Sequence, residues 1–125
     1  MELTRIQKRE LMWLSTVADA SGWPEGDAAT AKSESMGDGP RADLRSCYEA
    51  LALAGYVDSL VCAWGGAIVK VRLTAEGRSR AEDFLKEELD DPFIPEDVKR
   101  KVADAAIGTG VSSAIGFFLR LVGFC

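Results

Sequence analysis

The sequence predicts one small domain of the α+β class, mainly helical with a single β-hairpin. Three observations predict it. The chain has 125 residues, which is the size of one ordinary domain. Apolar side chains recur at the three- and four-residue spacing of amphipathic helices along most of the chain. Two strand-like runs follow one another in one place, where glycines separate them.

The first helix is predicted from its capping signal. Thr4 and Gln7 have the spacing of a capping box, in which each side chain bonds to the main chain of the other residue. A broad apolar face follows, and the helix is expected to end at Ser21-Gly22. Glycines and prolines then punctuate the chain, and a short helix is expected around residues 25–32.

A longer helix is predicted after a loop over residues 33–39. Pro40 suits its first position, because a proline there loses no helical hydrogen bond. Gly55 is a natural stop at its end. Four apolar residues at helical spacing are expected to face the core, namely Leu44, Cys47, Tyr48 and Leu51.

The β-hairpin is predicted from two runs, 56–64 and 67–73, with Gly65-Gly66 as a two-residue turn. The second run alternates in character. Its predicted faces are Val69, Val71 and Leu73 on one side, and Ile68, Lys70 and Arg72 on the other.

Another helix is expected after the hairpin, with Thr74 as its cap. Its apolar stripe comprises Ala81, Phe84, Leu85 and Leu89. Residues 90–95 are expected to separate this helix from the next one. A final helix is predicted to start at Pro95 and run into the apolar tail.

Two segments carry a family resemblance. Residues 69–78 read VKVRLTAEGR, which is similar to the strand and LTxxGR signature that ends the wing in MarR-like and PadR-like regulators. Residues 44–57 read LRSCYEALALAGYV and resemble the end of the recognition helix in that superfamily. The resemblance spans about residues 3–89 and implies a winged helix-turn-helix fold.

The chain is therefore expected to divide into two parts, a winged-helix domain over residues 1–90 and a linker with a C-terminal apolar helix over residues 91–125. This plan also resembles small phage and prophage proteins of the YjcQ-like kind. The resemblance implies a protein of a phage or another mobile element.

Charge is distributed unevenly along the chain. The net charge is −5, yet residues 61–80 carry four basic side chains against one acidic side chain. In a winged-helix protein this zone would lie at or beside the wing, whose tip would be Trp64, Gly65 and Gly66. The resemblance implies major-groove contacts from Arg41, Arg45 and Ser46, and backbone contacts from Lys70, Arg72 and Arg78. The alternative is that both surfaces are solvated or bind protein.

The apolar tail carries small residues at helical spacing. Gly108, Ser112 and Gly116 are four residues apart and would line one side of a continuous helix, which permits close helix packing. Ile115, Phe117 and Leu121 add apolar surface that a lone helix would not expose to water. Three outcomes stay open: packing on its own domain, pairing with another copy into a homo-oligomer, or contact with a membrane or a separate partner.

Several classes of function are disfavoured. The chain has no histidine, which excludes histidine bases, nucleophile triads and metal ligands of that type. The spacing of its three cysteines fits no zinc motif. Adjacent acidic pairs point in different directions on a helix, so a catalytic carboxylate pair is not expected. The sequence therefore predicts no metal, no cofactor and no enzyme activity.

The sequence favours a small DNA-binding regulator with a cytoplasmic location, since its start lacks the apolar stretch of a secretory signal. The alternative is a non-enzymatic protein-binding module, such as an inhibitor or immunity component. The acidic composition favours this alternative. A membrane-active effector that uses residues 102–125 is a third and weaker alternative.

Overall fold

The computed structural model, which describes residues 2–90, 92 and 94–121, combines helices with one antiparallel hairpin. The elements in chain order are α1 (Arg5–Val17), α2 (Ala28–Glu34), α3 (Asp38–Leu53), β1 (Val57–Cys62), β2 (Ile68–Leu73), α4 (Ala75–Leu89), α5 (Glu96–Thr109) and α6 (Val111–Leu121). The predicted α+β class, mainly helical with one hairpin, is confirmed for these residues.

The capping box at the start of α1 is confirmed. The Gln7 N–H donates to Thr4 Oγ1 at 3.2 Å, and the Thr4 N–H donates to Gln7 Oε1 at 3.0 Å. The predicted end at Ser21-Gly22 was wrong, because α1 stops at Val17. The chain after it is held by the Asp19 carboxylate, which accepts hydrogen bonds from the main-chain N–H groups of Ser21 and Trp23 at 2.9 and 3.0 Å.

The predicted short second helix exists as α2, preceded by a 3-10 turn over Glu25–Asp27. The third helix starts two residues earlier than predicted, at Asp38 rather than Pro40, with Gly37 before it. Pro40 still lies in the first turn, where its missing N–H costs nothing. The predicted core residues of this helix are all buried: Leu44, Cys47, Tyr48 and Leu51. Gly55 adopts φ +83° and follows its end, as predicted.

The turn of the hairpin differs from the prediction by one position. The Gly66 N–H donates to the Ala63 carbonyl at 2.9 Å, so Trp64 and Gly65 are the central residues of the turn. Gly66 follows them with φ +85°, a left-handed conformation that favours glycine. The loop is thus built on a four-residue turn rather than on Gly65-Gly66 alone.

The predicted strict alternation along β2 was also wrong. Ile68, Val71 and Leu73 are buried together, whereas Val69 is 54% exposed. The pairing with β1 contains register shifts, and Ser59 within β1 has φ +54°. Such an irregularity changes which side chains face the core part-way along a strand.

Helix α4 begins as predicted. The Gly77 N–H donates to Thr74 Oγ1 at 2.9 Å, which is a standard N-cap bond. Gly77 is buried because the helix lies directly on the main chain of Tyr56: a methyl group placed on Gly77 would come within 2.0 Å of the Tyr56 carbonyl oxygen. The glycine of the LTxxGR segment therefore serves close packing between α4 and the start of β1.

The tail contains two helices rather than the predicted continuous one. Gly110 adopts φ +98° between α5 and α6, so Gly108 and Gly116 do not share one helical row. Gly108 borders open space, while Gly116 lies against Thr16 of α1. The row predicted from Gly108, Ser112 and Gly116 is therefore absent, because the non-helical conformation of Gly110 interrupts the helix before the row can form.

Helix α6 packs within its own chain, against α1, α4 and α5. Its buried side chains are Ala114, Ile115, Phe118 and Leu119. Phe117 is half-buried and Leu121 is 45% exposed. The first of the three outcomes open for the tail, packing on its own domain, accounts for these buried side chains of α6. Pairing with another copy stays a prediction.

Candidate functional site

The hairpin runs back along α3, so its tip lies beside the start of that helix. A methyl group placed on Gly65 would lie 3.5 Å from the Arg41 side chain, and one placed on Gly66 would lie 3.6 Å from it. Further along β1, Arg45 and Glu49 are close enough to Cys62 to influence its thiol, whose pKa is raised mainly by burial. The outward side of α3 and the hairpin tip therefore form one surface.

Arg41 is used inside the fold. Its guanidinium donates to the main-chain carbonyls of Ser33 at 3.0 Å and Met36 at 2.6 Å, and it lies 3.7 Å from the Asp38 carboxylate. Only 19% of the side chain is exposed. These bonds fasten the end of α2 to the start of α3, so Arg41 contributes to the fold rather than presenting its cation to solvent.

Arg45 and Ser46 are exposed on α3, as predicted from their spacing. Arg45 Nε donates to Glu49 Oε1 at 3.0 Å, and about half of each side chain remains in solvent. An exposed pair one helical turn apart stabilises a helix by only about 0.3–0.5 kcal/mol. Glu49 therefore neutralises the charge of Arg45, but the pair is weak enough that Arg45 could exchange Glu49 for another partner at little energetic cost.

Of the other predicted cations, Lys70 and Arg72 lie on β2 and Arg78 lies on α4. Lys70 and Arg72 both approach the ring of Trp23, with their charged groups 4.9 and 5.9 Å from its centroid. Trp23 belongs to the segment that borders β2, where the Leu73 N–H donates to the Gly22 carbonyl at 2.8 Å. Helix α2 packs on β2, whereas α3 packs on β1.

Arg72 and Arg78 also have partners within the chain. Arg72 forms a two-point ion pair with Asp58, with Nε to Oδ1 at 2.7 Å. The hydrogen bond from Arg72 lowers the pKa of Asp58 below its usual value. Arg78 donates to the Asp19 carbonyl at 2.5 Å. Sequence reasoning found the cationic segment but could not see Asp58 or Asp19 as partners, because both are distant in sequence.

Two large apolar side chains are exposed at the ends of the α3 surface. Trp64 at the hairpin tip is 105% exposed, as an isolated residue would be, and Leu53 at the end of α3 is 85% exposed. Leu53 was not predicted as a functional residue. Its signal is its position: it continues the outward row of Ser46 and Glu49 at helical spacing, although it is apolar.

We call this surface the α3 face, and it comprises Ala42, Arg45, Ser46, Glu49, Leu53 and Trp64. Asp38 and Asp43 are exposed at the same end of α3 as Trp64. Within the described residues, no group of three or more acidic or cysteine side chains is arranged to hold a metal ion. No helix in the described ranges combines the length and hydrophobicity that crossing a bilayer requires.

Comparisons of the chain with protein-family profiles, with curated proteins and with solved structures found no match.

Proposed function

We propose that the chain is a non-enzymatic protein-binding module on a winged helix-turn-helix scaffold, and that it holds its partner through the α3 face. One observation carries the proposal: Trp64 and Leu53 are exposed on a surface whose cations Arg41 and Arg45 already have partners within the chain. Large apolar residues in water favour burial against another surface. Tryptophan is among the residues that contribute most to protein interfaces.

The partner is expected to be a protein with an apolar recess and a cationic surround. The recess would take Trp64. Asp38 and Glu49 pair with Arg41 and Arg45, so the cations of the partner would face chiefly the exposed carboxylate of Asp43. Trp64 and Leu53 lie near opposite ends of α3, and positions 41 and 53 of a helix are about 18 Å apart. Two anchors at this separation suit an interface of ordinary size.

The scaffold itself is part of the proposal. The order of the elements, the short α2 before a longer α3, and a hairpin tip beside the start of α3 are all features that a winged helix-turn-helix requires. The LTAEGR segment supports it, since Gly77 there allows α4 to lie on the main chain of Tyr56.

The experiment compares proteins captured from the native host by the intact chain with those captured by Trp64→Ala and Leu53→Ser. Val69→Ser is the matched control, because Val69 is an exposed apolar residue of β2 outside the α3 face. A captured protein is then purified, and its affinity for each variant is measured by calorimetry. We expect Trp64→Ala to weaken binding by about tenfold or more. Equal affinity of all variants for every captured protein would refute the proposal.

Duplex DNA binding is the second candidate function, and the position of the hairpin tip favours it. A recognition helix and its wing must present their ends on the same side of the domain. Exposed Arg45 and Ser46 would meet base edges, and exposed Lys70 would meet a phosphate. The intrachain partners of Arg41, Arg72 and Arg78 count against it, because affinity for DNA comes largely from cations that neutralise phosphates.

A salt-dependent assay distinguishes the two functions. Labelled genomic fragments are titrated with the intact chain at low salt, beside Arg45→Ala, Arg72→Ala and Trp64→Ala. DNA binding predicts retention that falls steeply with salt and is weakened by Arg45→Ala. An absence of retention at the lowest salt concentration would dispose of this second candidate and leave the first intact.

A further inference from the structure

A cleft of about 750 Å³ is lined by none of the residues of the α3 face. It is bounded by the loop after α1, the end of β2 and the first turns of α4. This volume is in the range of small-molecule sites. Four charged side chains line the cleft: Asp58, Arg72, Arg78 and Glu82.

Two of these four side chains neutralise one another. Arg72 and Asp58 form the two-point ion pair described above, which uses both carboxylate oxygens. The pair leaves Arg78 and Glu82 as the charges that determine what the cleft attracts. They are one helical turn apart on α4.

Arg78 has no carboxylate partner among the described residues. Among these residues its guanidinium donates one hydrogen bond, to the main-chain carbonyl of Asp19 at 2.5 Å, while the Asp19 carboxylate accepts from the N–H groups of Ser21 and Trp23. A guanidinium has five N–H donors, so most of those on Arg78 are available to a ligand. A cation near the start of a helix is also disfavoured by the helix dipole, which a bound anion would offset.

Glu82 has no cationic partner in the part of the chain that the structure describes. Arginine and glutamate at this spacing commonly pair on a helix surface. Arg80, on the same helix but outside the cleft, behaves in this ordinary way and lies 3.7 Å from Asp83 and 3.8 Å from Glu87. Arg78 and Glu82 therefore present separated opposite charges to one cleft.

We propose that this cleft binds a small zwitterion of the free α-amino acid class. Its carboxylate would accept hydrogen bonds from Arg78, and its ammonium group would donate to Glu82. A simple anion would be repelled by Glu82, and a simple cation by Arg78, so a ligand that carries both charges fits best. Ser21 and Ser79 also line the cleft and add polar groups that the same ligand can use. The proposal does not depend on a protein partner at the α3 face.

The test is a calorimetric and NMR titration of the intact chain with each standard L-amino acid. For the tightest binder, the compound without its amino group and the compound without its carboxyl group are titrated as matched probes. Inorganic phosphate is included as a plain anion. We expect one or more amino acids to bind, and both truncated probes and phosphate to bind at least about tenfold more weakly.

Glu82→Gln is the decisive variant, because Glu82 makes no ion pair that the fold would lose. It should weaken amino-acid binding by about tenfold, as should Arg78→Gln, while Arg80→Gln leaves binding unchanged. If no amino acid binds in the millimolar range, or if Glu82→Gln binds as tightly as the unmodified chain, the proposal is wrong. Phosphate binding that depends on Arg78 but not on Glu82 would also overturn it and identify an anion site instead.

Discussion

The hydroxyl of Tyr48 donates a hydrogen bond to Glu10 Oε1 at 2.9 Å within the core. The ammonium group of Lys32 donates to both oxygens of the same carboxylate at 2.9 and 3.0 Å, and it lies 4.0 Å from the centre of the Trp13 ring. Only 3% of Glu10 is exposed. Since the three polar groups belong to α1, α2 and α3, this network joins the helices that carry the α3 face.

Replacing Glu10 by alanine should therefore destabilise the fold. The change removes a buried carboxylate that accepts hydrogen bonds from the Tyr48 hydroxyl and the Lys32 ammonium group, which costs about 3 kcal/mol in such settings. Tyr48→Phe removes one hydrogen bond and should cost about 1–2 kcal/mol. Urea denaturation gives both free energies of unfolding. Exposed Glu49→Ala is the control, and an equal loss in that variant would contradict this account.

The Cys47 thiol should make the fold less stable in alkaline solution. Burial, and after it the charge of Glu10, raises the pKa of Cys47 from 9.0 to about 12. The unfolded chain loses this proton above about pH 9, whereas the folded chain keeps it until about pH 12. The unfolded state therefore binds fewer protons in this window, so the free energy of unfolding falls as the pH rises through it.

Denaturant titrations at a series of alkaline pH values test this expectation. Burial also raises the pKa of Tyr48, so the unmodified chain contains both contributions. Cys47→Ala removes one of them and should show a shallower decline above about pH 9. A decline that is the same with and without the thiol would mean that Cys47 does not titrate differently in the two states.

Local signals made much of the fold predictable. The caps at Thr4 and Thr74 depend on residues three positions apart, and the core positions of α3 follow from helical spacing. Long-range geometry was not predictable in the same way. Gly110 interrupts a stretch that is apolar on both sides, and nothing in its neighbours distinguishes a helix break from a close-packing glycine.

For the candidate sites, too, the local features were predictable and the long-range contacts were not. Composition located the cations of residues 61–80, yet their roles depend on Asp58 and Asp19, which reach Arg72 and Arg78 only in the folded chain. Arg41 was predicted to contact DNA from its place in the first turn of a helix, and its three carbonyl acceptors all lie in the preceding residues 33–36. A sequence gives the charge of a side chain but not the acceptor that folding brings to it.

Two glycine-to-alanine changes should shift stability in opposite directions. Gly77→Ala places a methyl group 2.0 Å from the Tyr56 carbonyl oxygen, so α4 must move away from the hairpin at a cost of several kcal/mol, on the order of 3. Gly108→Ala meets nothing within 4 Å in the last turn of α5 and should stabilise the chain by about 0.4–1 kcal/mol, because alanine restricts the unfolded chain more than glycine does. Thermal unfolding of both variants measures the difference. Similar melting temperatures would show that α4 does not pack on Tyr56 this closely.

Phe118 should be the side chain through which the tail contributes most to stability. It is fully buried in α6, which packs against α1 and α4, so Phe118→Ala leaves a cavity and should cost about 3–5 kcal/mol. Leu121→Ala, one turn later at 45% exposure, should cost less than about 1 kcal/mol and serves as the matched control. The denaturation and the sedimentation of each variant are both measured. If the tail instead joined two copies, both variants would sediment with a lower mass than the unmodified chain. If Phe118→Ala unfolds like the unmodified chain, α6 is not part of this core, and the second copy becomes the better explanation for its apolar residues.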